Sequence, residues 1–244
     1  MTAPVRTVLA DVARVGPFFA VATEPAESAD PTWRPLRALG SAGPAEPGAL
    51  GDRIAHVRRV LSEQAGRVVE ERVAASIALQ GLAARLVSAP LAAVALHGVL
   101  PDLGRDALHW RVAHTGPWPL WTDGERPVRD PAELPALVTE ELAEPLVRAV
   151  RTLVPVSARV LWGNVASSVA GAKRVLGTER PEAAPRAAEL AAAVLDHPLL
   201  AGAGERRPPG PADHGWTFRR RSCCLYYRLP GGGTCGDCVL SGRA

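Results

Sequence analysis

Cys223, Cys224, Cys235 and Cys238 stand within sixteen residues near the end of a 244-residue chain that has no other cysteine. Thiolates serve three kinds of chemistry: disulfides, structural zinc and iron–sulfur clusters. Adjacent cysteines such as Cys223 and Cys224 cannot pair with each other without a strained ring. Structural zinc sites usually draw on two short chelating pairs, each with a spacer. Cys235-Gly236-Asp237-Cys238 has that form, and Cys223-Cys224 does not. In extended backbone adjacent side chains point to opposite sides, which is awkward for gripping a single ion. A 2Fe–2S core relaxes the constraint, because its two irons offer thiolate positions at opposite ends. On the residues alone the cluster fits best, with zinc and disulfides left open.

The surroundings favour a negatively charged metal centre. Residues 201–244 hold seven arginines and three acids, whereas the whole chain nets only +3. Arg219, Arg220, Arg221 and Arg228 can offset thiolate and sulfide charge, the more so once an electron is added. Gly231, Gly232, Gly233 and Gly236 let backbone N–H groups approach sulfur closely. Tyr226 and Tyr227, the chain's two tyrosines, either pack this loop against the body or meet a docked substrate or donor. The arginines carry the same two readings, a solvated basic face or a docking surface.

These residues need elements to position them. An apolar fraction of 47% with aromatics at 5% favours helices packed on small side chains. A short helix is expected over residues 5–15, then an irregular, proline-bearing connection over 24–48. Asp52 reads as the N-cap of a helix carrying Ile54, Val57, Leu61, Ala65 and Val68. Residues 73–87 are apolar all round and read as a central buried helix, ended or kinked by Pro90. Residues 107–124 read as a small antiparallel hairpin turning at His114–Pro117. Asp130-Pro131 with Glu133 starts a helix running to Leu153 with a kink at Pro145. Ser157 caps another that Gly177 ends, and an alanine-rich helix covers 185–196. Residues 202–215 read as a linker, and Trp216 and Phe218 alternate along a strand leading to the cysteines. The expected fold is therefore mainly α with a small β-hairpin element. Residues 1–204 form a helical body and residues 205–244 a C-terminal iron–sulfur segment.

The first residues, broken by Arg6, Asp11 and Arg14, lack a signal-peptide core. The longest uncharged apolar stretch, 86–101, is too short for a membrane span. A cytoplasmic protein is expected, where clustered cysteines suit metal or redox chemistry better than disulfides. No sustained basic face or DNA-binding motif points to nucleic acid. Ser167 and Ser168 lack the context of a nucleophile. Asn164, Ser168 and Gly171 share one helix face, suited to a close helix contact or to a pocket wall. His56, His97, His109, His114, His197 and His214 are scattered without ligand spacing.

The segment RRSCCLYYRLPGGGTCGDC resembles the C-terminal iron–sulfur motif of FhuF-like ferric siderophore reductases, which hold a 2Fe–2S cluster through CC-x10-C-x2-C. LWGN at 161–164 and the apolar region over 73–101 resemble that family's helical body only diffusely. The resemblance implies Cys223, Cys224, Cys235 and Cys238 as cluster ligands. It also implies one-electron reduction of Fe(III) in an imported siderophore, with a hydroxamate the first expectation. No G-x-G-x-x-G follows an expected strand and no P-loop is present, so an external donor such as a ferredoxin or flavin reductase is implied. An electron carrier, an iron sensor and a zinc-stabilised helical module are the alternatives. Colour and iron content would separate the last from the others.

Overall fold

The computed structural model describes residues 3–40, 48–113, 115–210 and 213–241. Helix α1 (Val5–Ala13) is followed by β1 (Arg34–Pro35), α2 (Gly48–Ala65) and α3 (Glu71–His97). Strands β2 (His109–Trp110) and β3 (Leu120–Trp121) precede α4 (Leu134–Ala136), α5 (Glu144–Leu153), α6 (Ala158–Glu179) and α7 (Ala184–Leu195). Strands β4 (Gly204–Arg207) and β5 (Thr217–Arg220) close the order. The molecule is mainly helical with two small antiparallel sheets, as its composition implies.

Helix α3 is the axis, with α1, α2 and α6 packed against it. It is long and apolar enough to cross a membrane by composition, yet its side chains from Val73 to Val94 are buried on nearly every face. Pro90 neither ends nor divides it. The proline removes one backbone donor, a cost of about 3 kcal/mol in a helix interior. Burial on all sides outweighs that cost: Ala89, Leu91, Ala92 and Ala93 are almost wholly inaccessible. The helix stops at Gly98, whose left-handed φ of 65° lets its N–H cap Val94.

The hairpin forms, with His109 opposite Trp121 and Trp110 opposite Leu120, and β1 adds a third strand through Arg34 and Trp110. That strand lies inside the stretch expected to be irregular, because two residues are too few for alternation to register. His114, part of the expected turn, lies outside the described residues. Arg85 of α3 fixes the sheet and the preceding loop to the core. Its guanidinium donates to the carbonyls of Trp118 (2.9 Å), Phe18 (3.0 Å) and Ala20. Burial pulls its pKa down to about 10.

Other boundaries shift. Helix α2 already includes Asp52, so that residue is not its cap. Asp130 and Glu133 form the reciprocal capping box their spacing implies. The kink expected at Pro145 is a wide turn over Leu137–Ala143, in which Glu144 N–H reaches back to Thr139. Ser157 precedes α6 without a side-chain cap bond, and the helix continues past Gly177 to Glu179.

Candidate metal centre

The stretch expected to be a linker contains β4, which pairs antiparallel with β5 from Gly204–Arg220 to Arg207–Thr217. Its proline and glycine content conceals a four-residue strand. Phe218 faces inward and lies against Gly204, where any Cβ would strike its ring. Lys173 of α6, the chain's single lysine, holds the approach to β5. Its ammonium donates to His214 O (3.0 Å) and Trp216 O and sits 4.3 Å from the Trp216 ring. After β5, Arg221 N–H bonds Ala203 O (2.9 Å) and Ser222 Oγ bonds Arg159 O (2.9 Å). Ser222 can approach α6 this closely only because residue 163 is glycine: a Cβ there would overlap Ser222 Oγ.

The chain then turns through Cys223 and Cys224, and Leu229 packs with Val69 and Val73. It returns so that Asp237 O accepts from Arg220 N–H (3.0 Å). Arg219 reinforces the crossing, donating to Val239 O (3.2 Å) and Ser241 O (2.7 Å). These bonds bring the two cysteine pairs together.

Cys224 and Cys238 are buried, while Cys223 and Cys235 are half-buried. Cys224 Sγ lies 3.8 Å from Cys235 Sγ. Backbone N–H groups of Leu225 and Leu240 point at Cys223 Sγ and Cys238 Sγ, each at 3.3 Å. Among the described residues Leu225 is the one non-glycine residue with positive φ, 71°. That strained conformation is held by its packing beside Val69, Val73 and Leu229. The close sulfur pair is hydrogen-bonded. The hydrogen bond from Cys235 pulls Cys224 down to about 6 despite burial, with Tyr226 N–H and the Arg220 charge assisting. The same bond, with burial and Asp237, pushes Cys235 up. Burial pushes Cys223 up against the N–H of Leu225.

The donor set suits a two-metal centre. A tetrahedral metal with thiolate bonds of about 2.3 Å separates its sulfurs by about 3.8 Å, which is the Cys224–Cys235 spacing. Two N–H···S contacts and a buried guanidinium, Arg220, supply the polar shell that a cluster's negative sulfurs require.

Residues 220–240 match the family model of the FhuF 2Fe-2S C-terminal domain.

The cofactor of this FhuF-type segment is a 2Fe–2S cluster, and the sequence resemblance is upheld over the motif. Compared with the curated proteins, the chain finds no match.

Around the FhuF-type segment the other singled-out residues divide. Arg220 is 1% exposed, whereas Arg221 is exposed, 4.0 Å from Glu205. Arg228 pairs with Glu70 and stands 5.9 Å from the Tyr227 ring. Tyr226 and Tyr227 are exposed. Asn164 and Ser168 make the close helix contact: Asn164 Nδ2 donates to Ser76 O (2.7 Å) and Ser76 Oγ (2.8 Å), and Ser168 Oγ donates to Gln80 O (3.2 Å). Ser76 Oγ in turn donates to Cys224 O (2.8 Å), linking α6, α3 and the cysteine loop. His97 pairs with Asp11 and His197 with Glu140, each at 3.0 Å. His109 packs on Trp121, and His56 meets Arg59.

A cavity of about 400 Å³ opens beside the second cysteine pair. Cys235, Gly236 and Asp237 form one wall; the Val15–Phe19 loop, α3 and α6 form the others. Ser168 and Gly171 belong to this lining, so the face shared with Asn164 serves both helix contact and cavity. Arg174 is its one basic side chain, and it is engaged by Asp213 at 3.1 Å. Sequence reasoning did not single out Ser76, Gln80 or Ser222. Ser76 and Gln80, polar and four apart on an otherwise apolar helix, carried a legible signal for a shared polar face.

Proposed function

We propose that the protein is a ferric siderophore reductase, in which Cys223, Cys224, Cys235 and Cys238 hold the 2Fe–2S cluster. Cys224 and Cys235, the close pair, would share one iron, and Cys223 and Cys238 the other. Residues 1–204 supply the chelate site and residues 205–244 the metal centre. The observation that carries this reading is the cavity beside Cys235. Its volume falls in the range of small-molecule sites, roughly 300–1,000 Å³, and an electron carrier or sensor needs no such cavity at its metal. The bound cluster supplies one electron, which converts Fe(III) in the chelate to Fe(II), held far less tightly by hard oxygen ligands. The α3 and α6 side chains seat the chelate, and Cys235–Asp237 keeps it at the edge of the centre. An external ferredoxin or flavin reductase, in the cytoplasm, restores the electron. The cavity's hydroxyl and amide groups are neutral and its two charged side chains, Arg174 and Asp237, have opposite signs, which suits a hydroxamate chelate of low net charge.

The test is to fill the cavity. A Cβ at Gly171 would meet nothing within 4 Å, so Gly171→Phe projects into open space. The variant should keep the cluster's visible spectrum and its exchange with a small redox mediator. Its reduction of a ferric trihydroxamate should slow at least tenfold. Equal rates for variant and wild type would remove the cavity from the reaction.

A further inference from the structure

The sequence treats Arg219, Arg220 and Arg221 as one basic run; the structure separates them. Arg219 is bonded to the carbonyls of Val239 and Ser241, and Arg221 is exposed beside Glu205. Arg220 is buried, and among the described residues only its side-chain Nη2 has a partner, Asn164 Oδ1. Nε and Nη1 are buried without an acceptor. Asn164 cannot turn away, because its Nδ2 is held by both the carbonyl and hydroxyl of Ser76. Ser76 is anchored to the backbone of Cys224. Position 163 must stay small, since a Cβ would stand 3.3 Å from Arg220 Nη2.

A guanidinium withdrawn from water needs a counter-charge close by. Among the described residues no carboxylate forms an ion pair with it, while its backbone N–H bonds Asp237 O within the second cysteine pair and its Asn164–Ser76 clamp ends on Cys224 O, which sets it beside both cysteine pairs. We propose that Arg220 is the counter-cation of the 2Fe–2S centre, clamped by Asn164 and Ser76, and that it alone of the three arginines sets the centre's reduction potential. The proposal rests on the cluster reading above. It acts through charge: adding an electron raises the negative charge beside a fixed cation, so the reduced state gains more from Arg220 than the oxidised state does. Arg221 is exposed and Arg219 only half-buried, so solvent and salt screen both more than Arg220.

Midpoint potentials of Arg220→Gln, Arg219→Gln, Arg221→Gln and wild type decide it, measured by optical redox titration at low and high salt. Iron and sulfide content of the wild type, assayed first, reports separately on the cluster reading. Arg220→Gln should lower the reduced-to-oxidised ratio at fixed potential at least tenfold, about 59 mV for one electron. That shift should survive high salt, while the other two variants stay within threefold of wild type. Arg220→Lys keeps the charge without the planar fork, and it should return within threefold of wild type. If Arg220→Gln fails to retain iron, Arg220→Lys carries the test, and a tenfold fall there overturns the charge role. Arg220→Gln within threefold of wild type, or an equal shift from Arg219 or Arg221, also overturns it.

Discussion

Gly163→Ala probes how the cysteine loop is held. In a helix interior the change alone stabilises by about 1 kcal/mol. At residue 163 the new methyl would overlap Ser222 Oγ and stand 3.3 Å from Arg220 Nη2. Ser222 must then give up its bond to Arg159 O, 2.9 Å long, worth about 1 kcal/mol. Overpacking adds about 1–3 kcal/mol. Helix α6 is buried at the centre of the molecule, and residues 221–224 are joined to it by few bonds. The strain should therefore be relieved by lifting the loop rather than by bending the helix. Gly171→Ala is the control: it lies on the same helix and meets nothing within 4 Å. Both variants should keep the wild-type helical unfolding midpoint or raise it slightly, by urea titration followed by circular dichroism. Only Gly163→Ala should lose its cluster absorbance to a chelator faster, by at least tenfold. Equal cluster lifetimes in the two variants would refute this account of the loop's seat.

Two further outcomes follow from buried polar groups. Arg85→Met removes the donor to three backbone carbonyls, and it should cost at least about 3 kcal/mol of stability at about 1–3 per orphaned group, read by urea unfolding. Burial alone would raise the pKa of Asp213, but hydrogen bonds from Thr217 and Arg174 and the charges of Arg174 and Lys173 hold it below the ordinary 3.8. Its stabilisation is therefore present above pH 3.8 and is lost as pH falls through the lower folded value. Asp213→Asn should flatten that acid limb, measured as unfolding midpoints between about pH 2 and 5.

The parts of the fold that could be read from the chain are those where one local signal dominates. The all-round apolarity of residues 73–87, the capping box at Asp130 and the alternation around Phe218 each name their element. Where tertiary packing overrides a local signal, the chain misleads. Pro90 is a helix breaker by chemistry, yet it rides inside α3 because every neighbour is buried. Gly204–Arg207 sits among residues that avoid strands, and it becomes one because Arg221 and β5 supply partners. The four cysteines were visible by type and spacing. The cavity beside them was not, because its walls come from a loop, two helices and Cys235–Asp237, far apart in sequence. Nor could the arginine run be resolved, since burial of Arg220 depends on Asn164 and Gly163 from a helix more than fifty residues earlier.

The most direct measurement of the central claim is a stoichiometric electron transfer. The protein is reduced anaerobically, freed of reductant, and mixed with a ferric trihydroxamate while a ferrous trap is present. Reoxidation of the cluster, followed by its visible absorbance, should yield one trapped Fe(II) per protein molecule. The rate should saturate with chelate concentration, as binding in a cavity requires. Raising salt should slow anionic catecholate chelates more than neutral hydroxamates. A cluster that loses its electron to chelates no faster than to buffer, yet exchanges readily with a small redox protein, would contradict the reductase and leave an electron carrier in its place.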